Sequence, residues 1–389
     1  MPKPKISVRN LYKIFGNNIS EALKLLGEGL SKDEVFAKTG HVVGVNKVSF
    51  DVVAGEIYVL MGLSGSGKST LIRLINRLVE PSSGSINIDG EDIAALPQCD
   101  LVKWRRKRVA MVFQSFALMP HRNILDNAAF GLEIAGVARK EREQRAMQVL
   151  EQVGLGPFCK KFPHQLSGGM QQRVGLARAL AVNPSLMLMD EAFSALDPLK
   201  RKEMQDVLLD LQSKQRRTIL FVSHDLEEAL RIGNRIAIME GGRLVQVGTP
   251  QEIIENPADE YVRAFFKSVD TSRYLAATDL IDAAGIPTLV KGQVIGAQPP
   301  WQPWLAFINQ ERKWIGLIST DALAACGDPV KAVQPQHTAV SESTTLREIL
   351  PLLMDNAAPL AVLDSSGSYL GVITAASALR KISQGANHV

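Results

Sequence analysis

Ile57-Tyr58-Val59-Leu60-Met61-Gly62-Leu63-Ser64-Gly65-Ser66-Gly67-Lys68-Ser69-Thr70 decides the fold. Five apolar residues read as a buried strand, and the residues from Thr70 to Leu78 carry helical periodicity. Between them Gly62 to Ser69 satisfies G-x-x-x-x-G-K-[ST] in the strand–loop–helix setting that gives this pattern its meaning. Gly62, Gly65 and Gly67 let backbone N–H groups turn inward around phosphate oxygens, with Ser64 and Ser66 between them, and the helix start adds partial positive charge. Lys68 supplies a point charge for the β- and γ-phosphates. Ser69 offers a hydroxyl to Mg2+ beside Thr70 in the first helical turn.

Working outward, Leu186 to Met189 and Ile219 to Val222 are further buried strands alternating with helices, which predicts an α/β fold with a parallel sheet covered on both faces. The first of these ends in Asp190-Glu191, at the strand end where ligands of open α/β sheets bind. Asp190 is placed to hold Mg2+, and Glu191 to orient or deprotonate an attacking water. Ile6 to Leu11 alternates like an edge strand and leads to Phe15-Gly16; a second strand runs from Val45 to Val53. The stretch between them reads as an inserted helical hairpin, 17–43, with Ser31-Lys32-Asp33-Glu34 as a capping box and a stop near Gly40. Residues 123–182 are mostly helical, a separate lobe. Leu166-Ser167-Gly168-Gly169-Met170-Gln171-Gln172-Arg173 opens a helix there, and its two glycines let backbone amides approach an anion closely. Taken alone, a plain serine N-cap is the better reading of Ser167.

At 389 residues the chain has room for two or three domains. Its 46% apolar and 22% charged composition is that of a folded protein. No apolar run approaches the roughly 18–20 residues a bilayer helix needs, and no signal-peptide core follows Met1. Three scattered cysteines support neither a disulfide framework nor a thiolate metal site. Net charge is only +4, and the cluster Arg105-Arg106-Lys107-Arg108 is too short to argue for nucleic acid.

After Gly248-Thr249-Pro250 comes a helix over Asp259–Phe266, then a region interrupted by Pro299-Pro300-Trp301-Gln302-Pro303-Trp304. Here the sequence repeats at an offset of 55 residues (360 − 305): Leu305-Ala306-Phe307-Ile308 and Trp314-Ile315-Gly316-Leu317-Ile318-Ser319 match Leu360-Ala361-Val362-Leu363 and Tyr369-Leu370-Gly371-Val372-Ile373-Thr374. Each unit reads as a hairpin followed by a helix, and neither buries its apolar face alone, so the two should pack as a pair.

The run from Leu166 to Arg173 is similar to the signature motif of ABC-transporter ATPases, and the rest of their set follows in order over residues 6–248. Gln114 resembles the Q-loop glutamine, which also reaches Mg2+; Ser194-Ala195-Leu196-Asp197 resembles the D-loop; His224 resembles the switch histidine at the γ-phosphate. Phe15 stands where an aromatic residue stacks on adenine, with Tyr12 as the alternative. Met170 and Ala192 depart from the general pattern, where glutamine and proline are usual.

Both departures, the helical insertion, Leu11-Tyr12-Lys13-Ile14-Phe15-Gly16 and Met189-Asp190-Glu191-Ala192-Phe193-Ser194-Ala195-Leu196-Asp197-Pro198-Leu199 resemble the ATP-binding subunits of glycine betaine/proline betaine importers. The resemblance implies a P-loop ABC-type nucleotide-binding domain, a RecA-like core plus helical subdomain, over 1–268, followed by a tandem CBS module of α+β type over 269–389 with its second repeat near 335–385. It further implies ATP hydrolysis with Mg2+, a homodimer sharing its ATP sites, integral membrane permease subunits, an extracytoplasmic substrate-binding protein, and a place on the cytoplasmic face of the inner membrane. Choline or carnitine is the alternative cargo. A DNA-repair or translation ATPase is disfavoured, since Gln114 and Ser167 lie only 53 positions apart (167 − 114), too few for a coiled-coil arm. The CBS-like repeats lack the ribose-binding aspartate: Ala322 and Ser377 stand three residues after Ser319 and Thr374, and Asp321 is one position off. A packing or ionic-strength-sensing role is therefore favoured over nucleotide binding.

Overall fold

The computed structural model describes residues 4–266, 272, 275–282, 288–290, 293–295, 303–326, 328–334, 339–356 and 358–386. The chain forms two compact units, Met1–Val262 and Arg263–Val389.

The first unit opens with β1 (Ile6–Phe15), the helices α1 (Ile19–Gly27) and α2 (Lys32–Thr39), and β2 (Val42–Val52). The strand β3 (Ile57–Met61) leads through the glycine loop into α3 (Lys68–Ile75), and β4 (Ser83–Ile88), β5 (Glu91–Asp92), α4 (Gln98–Arg108) and β6 (Val109–Phe113) follow. Three helices, α5 (Ile124–Ile134), α6 (Arg139–Gln152) and α7 (Gly168–Ala181), precede β7 (Leu186–Asp190), α8 (Pro198–Lys214), β8 (Thr218–Ser223) and α9 (Leu226–Ile232). The unit ends with β9 (Arg235–Glu240), β10 (Arg243–Gly248) and α10 (Pro250–Glu255), and its boundary at Val262 falls within α11 (Glu260–Phe266).

Two sheets result: an antiparallel one ordered β2-β1-β4-β5 and a six-stranded one ordered β10-β9-β3-β8-β7-β6. In the second, β9, β3, β8, β7 and β6 run parallel and only β10 is antiparallel. Every residue of β3, β7 and β8 is buried, as strands covered on both faces must be. Helix α3 lies between the sheets: Leu71, Ile72, Leu74 and Ile75 share one core with Val8 and Val48 on one side and Leu60 and Val222 on the other. Burying each such side chain contributes about 1.5–3 kcal/mol.

The structure corrects three readings. The alternation of β1 does not mark an edge, because β1 pairs with β2 on one side and β4 on the other; a strand with one buried face alternates wherever it sits. The second strand starts at Val42, and the helix after the loop begins at Lys68 and ends at Ile75. The hairpin between β1 and β2 follows its caps: Ser31 accepts from Glu34 N–H in a capping box, and Gly40 closes α2 at φ +70°. The basic cluster is structural in part, for Arg105 donates to the Asn76 carbonyl at 2.9 Å and caps α3.

In the second unit, β11 (Thr288–Val290) pairs with β12 (Gln293–Ile295) on one side and with β13 (Trp304–Ile308) on the other, and β14 (Trp314–Ser319) pairs with β13; α12 (Thr320–Cys326), α13 (Pro329–Ala332) and β15 (Val333–Gln334), which pairs with β14, follow. A second group comprises β16 (Ala339–Ser341), α14 (Leu346–Asp355), β17 (Leu360–Leu363), β18 (Tyr369–Ile373) and α15 (Ala375–Ala386). Most of the proline-rich interruption lies outside the described residues. The hairpins β13-β14 and β17-β18 share one core, with Ala306, Ile308 and Leu317 against Ala361, Tyr369 and Val372. Trp314 stacks on Tyr369, its counterpart at the 55-residue offset (369 − 314), with centroids 5.5 Å apart. Lys313 bridges Ser368, again its counterpart. Residues that touch their own equivalents lie beside a local two-fold axis.

Candidate functional site

The register of the six-stranded sheet brings four predicted residues to one edge. Met61 pairs with Ser223, Val222 with Asp190, and Asp190 with Phe113. Gly62, His224, Glu191 and Gln114 are thus each the first residue beyond four neighbouring parallel strands, at the carboxyl end where open sheets bind ligands.

The loop on β3 is shaped for close approach. A side chain at Gly62, at φ +151°, would meet the Met239 carbonyl oxygen at 2.2 Å, and one at Gly67, at φ +102°, the Gly44 carbonyl oxygen at 2.3 Å. Gly67 caps α3 without a side-chain hydrogen bond, so the amides of Lys68, Ser69 and Thr70 remain free for an anion. Lys68 is buried and donates to the carbonyls of Gly62 at 2.7 Å and Leu63 at 2.9 Å. Burial lowers its pKa, and the nearby Glu191 and Asp190 carboxylates oppose that shift. Ser66 is buried beside it; Ser64 and Gly65 are exposed on the loop.

Ser69 Oγ donates to Asp190 Oδ1 at 2.9 Å. Burial raises the Asp190 pKa, while the Ser69 hydrogen bond and the Arg73 guanidinium at 3.7 Å work against it. This hydroxyl–carboxylate pair suits Mg2+, which is bound through one or two carboxylates together with substrate phosphates rather than in an all-protein cage. Arg73 was not singled out from the sequence. It lies one turn beyond Ser69 on the same helix face, a spacing that could have found it.

Glu191 sits at φ +46°, in the left-handed region that a residue with a side chain rarely enters. Its amide donates to the Val222 carbonyl at 3.1 Å and its carbonyl accepts from Ser194 Oγ at 2.9 Å, holding the turn. The turn aims the carboxylate at His224, whose Nδ1 is 3.3 Å from Glu191 Oε2. Behind His224, Ser223 Oγ donates to the buried Glu228, which also accepts from Gln205 at 3.2 Å.

Phe15 is 44% exposed at the end of β1. A side chain at Gly44 would come within 3.0 Å of its ring and 3.2 Å of Thr70, so the ring lies beside the first turn of α3. Tyr12 packs instead with the hairpin core of Ala22, Leu26 and Val35.

Ser167, Gly168, Gly169 and Asp197 form a second group. Ser167 caps α7, accepting from Met170 N–H at 3.4 Å, and Asp197 caps α8, accepting from Lys200 N–H at 3.0 Å. A side chain at Gly168 would reach only Phe116 at 3.6 Å and Leu196 at 3.9 Å, and one at Gly169 only Lys200 at 3.5 Å. Nothing inside the chain therefore demands glycine at either place. A cavity of about 270 Å³ adjoins them, lined by Ser167, Gly169, Met170, Arg173, Lys200 and Glu203. Among the described residues no hydrogen bond or ion pair joins this group to the phosphate loop.

Residues 45–194 match the profile of the ABC transporter family. The chain is 48% identical over 381 residues, 95% of each chain, to the glycine betaine/proline betaine transport system ATP-binding protein of Salmonella typhimurium. It is 50% identical over 284 residues, 72% of this chain and 82% of the relative, to the trimethylamine N-oxide transport system ATP-binding protein of Pelagibacter ubique. Among solved structures, an ATP-binding cassette in a dimeric post-hydrolysis state bound to ADP and phosphate is similar at a TM-score of 0.53 and 30% identity, covering 63% of this chain and 98% of that one. With its phosphate loop, strand-end carboxylates and full-length likeness to such subunits, the chain belongs to the ATP-binding proteins of ABC transporters, in the group that includes those of glycine betaine transport systems.

Proposed function

We propose that the chain is the ATP-hydrolysing subunit of a binding-protein-dependent importer of glycine betaine, proline betaine or a related quaternary amine. The observation that carries the catalytic half is the alignment of Gly62, Gln114, Glu191 and His224 at four adjacent strand ends. The amides at the start of α3 and Lys68 hold the β- and γ-phosphates; Lys68 exchanges its carbonyl partners in the loop for phosphate oxygens. Ser69, Asp190 and Gln114 would hold Mg2+, which neutralises charge on the phosphates when bound. Glu191 orients a water toward the γ-phosphate and takes its proton, and His224 steadies the carboxylate and the phosphate. Phe15 stacks on adenine, a role Tyr12 is poorly placed for while packed on the hairpin.

Two copies complete each site, the Ser167–Gly169 amides of one facing the phosphate loop of the other, with Asp197 at the junction. Glycines that no internal contact requires support this, as does the dimeric state of the similar cassette. We assign 1–268 to the ATPase domain, with the insertion 17–43 and the helical subdomain 123–182. We assign 269–389 to a tandem CBS module, supported by hairpins that stack on their own repeat equivalents. Thr374 donates to Asp282 at 3.0 Å and Ser377 to the Leu280 carbonyl at 2.8 Å, so the positions expected to face a ribose are engaged internally. Integral permease subunits and an extracytoplasmic binding protein complete the importer, placing this chain on the cytoplasmic face of the inner membrane.

Replacing Glu191 by Gln in the assembled transporter should lower ATP hydrolysis by roughly 10²–10⁴-fold, the usual contribution of a general base, with ATP binding retained. Unchanged turnover would sink the assignment. The cargo follows from uptake driven by the same assembly: competition by glycine betaine but not by trimethylamine N-oxide is the expected pattern.

A further inference from the structure

The two ends of the hairpin between β1 and β2 meet on one side chain, His41. Its Nδ1 lies 2.7 Å from the Thr39 carbonyl and its Nε2 accepts from Asn18 N–H at 2.9 Å, which fixes the tautomer with hydrogen on Nδ1. The ring also lies directly on Gly16: a side chain there would fall 1.9 Å from His41 Cδ2. The Asn18 side chain accepts no backbone N–H of α1 and donates instead to Glu21 Oε2 at 3.0 Å, so the backbone N–H of Asn18 is the group that His41 ties down. One imidazole thus joins residues 16–18 to residues 39–41.

Those residues frame Phe15. Its strand partner is Val42, next in sequence after His41, and its chain neighbour is Gly16, under the imidazole. Lys13 Nζ lies over the ring, 4.9 Å from its centroid, and Gly44 lies between the ring and Thr70 in the first turn of α3. The hairpin has its own apolar core in Ala22, Leu26, Val35, Ile14 and Val43. The hydrogen bonds of His41, to Asn18 and Thr39, fall instead at the root, where Phe15 is set.

We propose that His41 is a positioning residue for nucleotide binding: by clasping the root of the hairpin it fixes the Phe15 ring where the base of the nucleotide stacks. The inference rests on the reading of Phe15 as the adenine platform. It predicts that the hairpin root governs affinity for the base while leaving the hold on the phosphates untouched, because among the described residues no hydrogen bond joins His41 to the phosphate loop.

The test is equilibrium binding of ATP and of inorganic tripolyphosphate to the full-length chain. His41→Ala should weaken ATP roughly three- to tenfold, the effect of losing about one hydrogen bond's worth of ordering, and leave tripolyphosphate unchanged. His41→Gln, which keeps an acceptor for Asn18 N–H, should recover most of the loss. In a Phe15→Ala background the His41→Ala effect should vanish, because the two act as one unit. An ATP affinity unchanged by His41→Ala, an equal loss for tripolyphosphate, or a loss that persists without Phe15 each overturns the clasp. If Phe15→Ala alone leaves ATP affinity unchanged, the adenine platform falls and the clasp with it. If Phe15→Ala weakens ATP while His41→Ala does not, the clasp alone falls.

Discussion

Glu191 is the residue where local strain and proposed chemistry coincide. At φ +46° it occupies a conformation that costs a residue with a Cβ about 1–2 kcal/mol, and it follows a strand whose five residues are all buried. The Val222 and Ser194 contacts hold it there. The turn that strains the backbone also swings the carboxylate out of the strand direction and toward His224. Strain of this kind persists where geometry serves function. Glycine relieves it and alanine does not, so Glu191→Gly should be more stable than Glu191→Ala by about 1 kcal/mol in chemical denaturation, with both inactive in hydrolysis. Equal stabilities would mean the turn stores no strain.

At the level of elements, β8 and α9 are joined under His224 by a buried polar group. Glu228 receives the Ser223 hydroxyl and the Gln205 amide, while Asp225 caps α9 and pairs with Arg201 of α8. Burial raises the Glu228 pKa above its ordinary value near 4.5, the two hydrogen bonds opposing the shift only in part. A carboxyl group whose folded pKa is raised stabilises the fold fully below its unfolded pKa, and the contribution is lost as pH rises through the folded one. Wild type should therefore lose stability relative to Glu228→Gln as pH climbs above about 4.5, with the gap levelling off once the folded group is ionised. Unfolding midpoints of both proteins across that range decide it; parallel curves would remove the burial penalty. Much of this layer was readable from sequence because its signals are local: the strand–glycine–lysine run, the Ser31 capping box and the Asp190-Glu191 strand end each lie within a few residues. What escaped was set by distant partners. The place of β1 between β2 and β4, the Arg73–Asp190 approach, the Glu228 network and the meeting of His41 with Asn18 join residues far apart or on different elements, and no spacing along the chain encodes them apart from the turn that separates Ser69 from Arg73.

On the scale of the whole molecule, the two groups of residues proposed to build one ATP site lie at separate places in the chain. The phosphate loop lies at the end of β3, and the Ser167–Gly169 start of α7 has glycines that its own neighbours leave uncrowded. If each site is assembled from two copies, damage to the two halves must segregate in mixed dimers. A dimer of one Lys68→Ala chain and one Ser167→Arg chain has one site with both defects and one with neither. A site built within a single chain would instead leave every site with one defect. Equal mixing of two such variants puts half of the molecules in mixed dimers, each with one intact site, so on the order of a quarter of the wild-type sites should return. We therefore expect ATP hydrolysis by the co-assembled mixture to rise well above the mean of the two parent variants, each nearly inactive alone. Activity that stays at that mean would show that the Ser167 amides serve only their own helix, and the glycines there would need another cause.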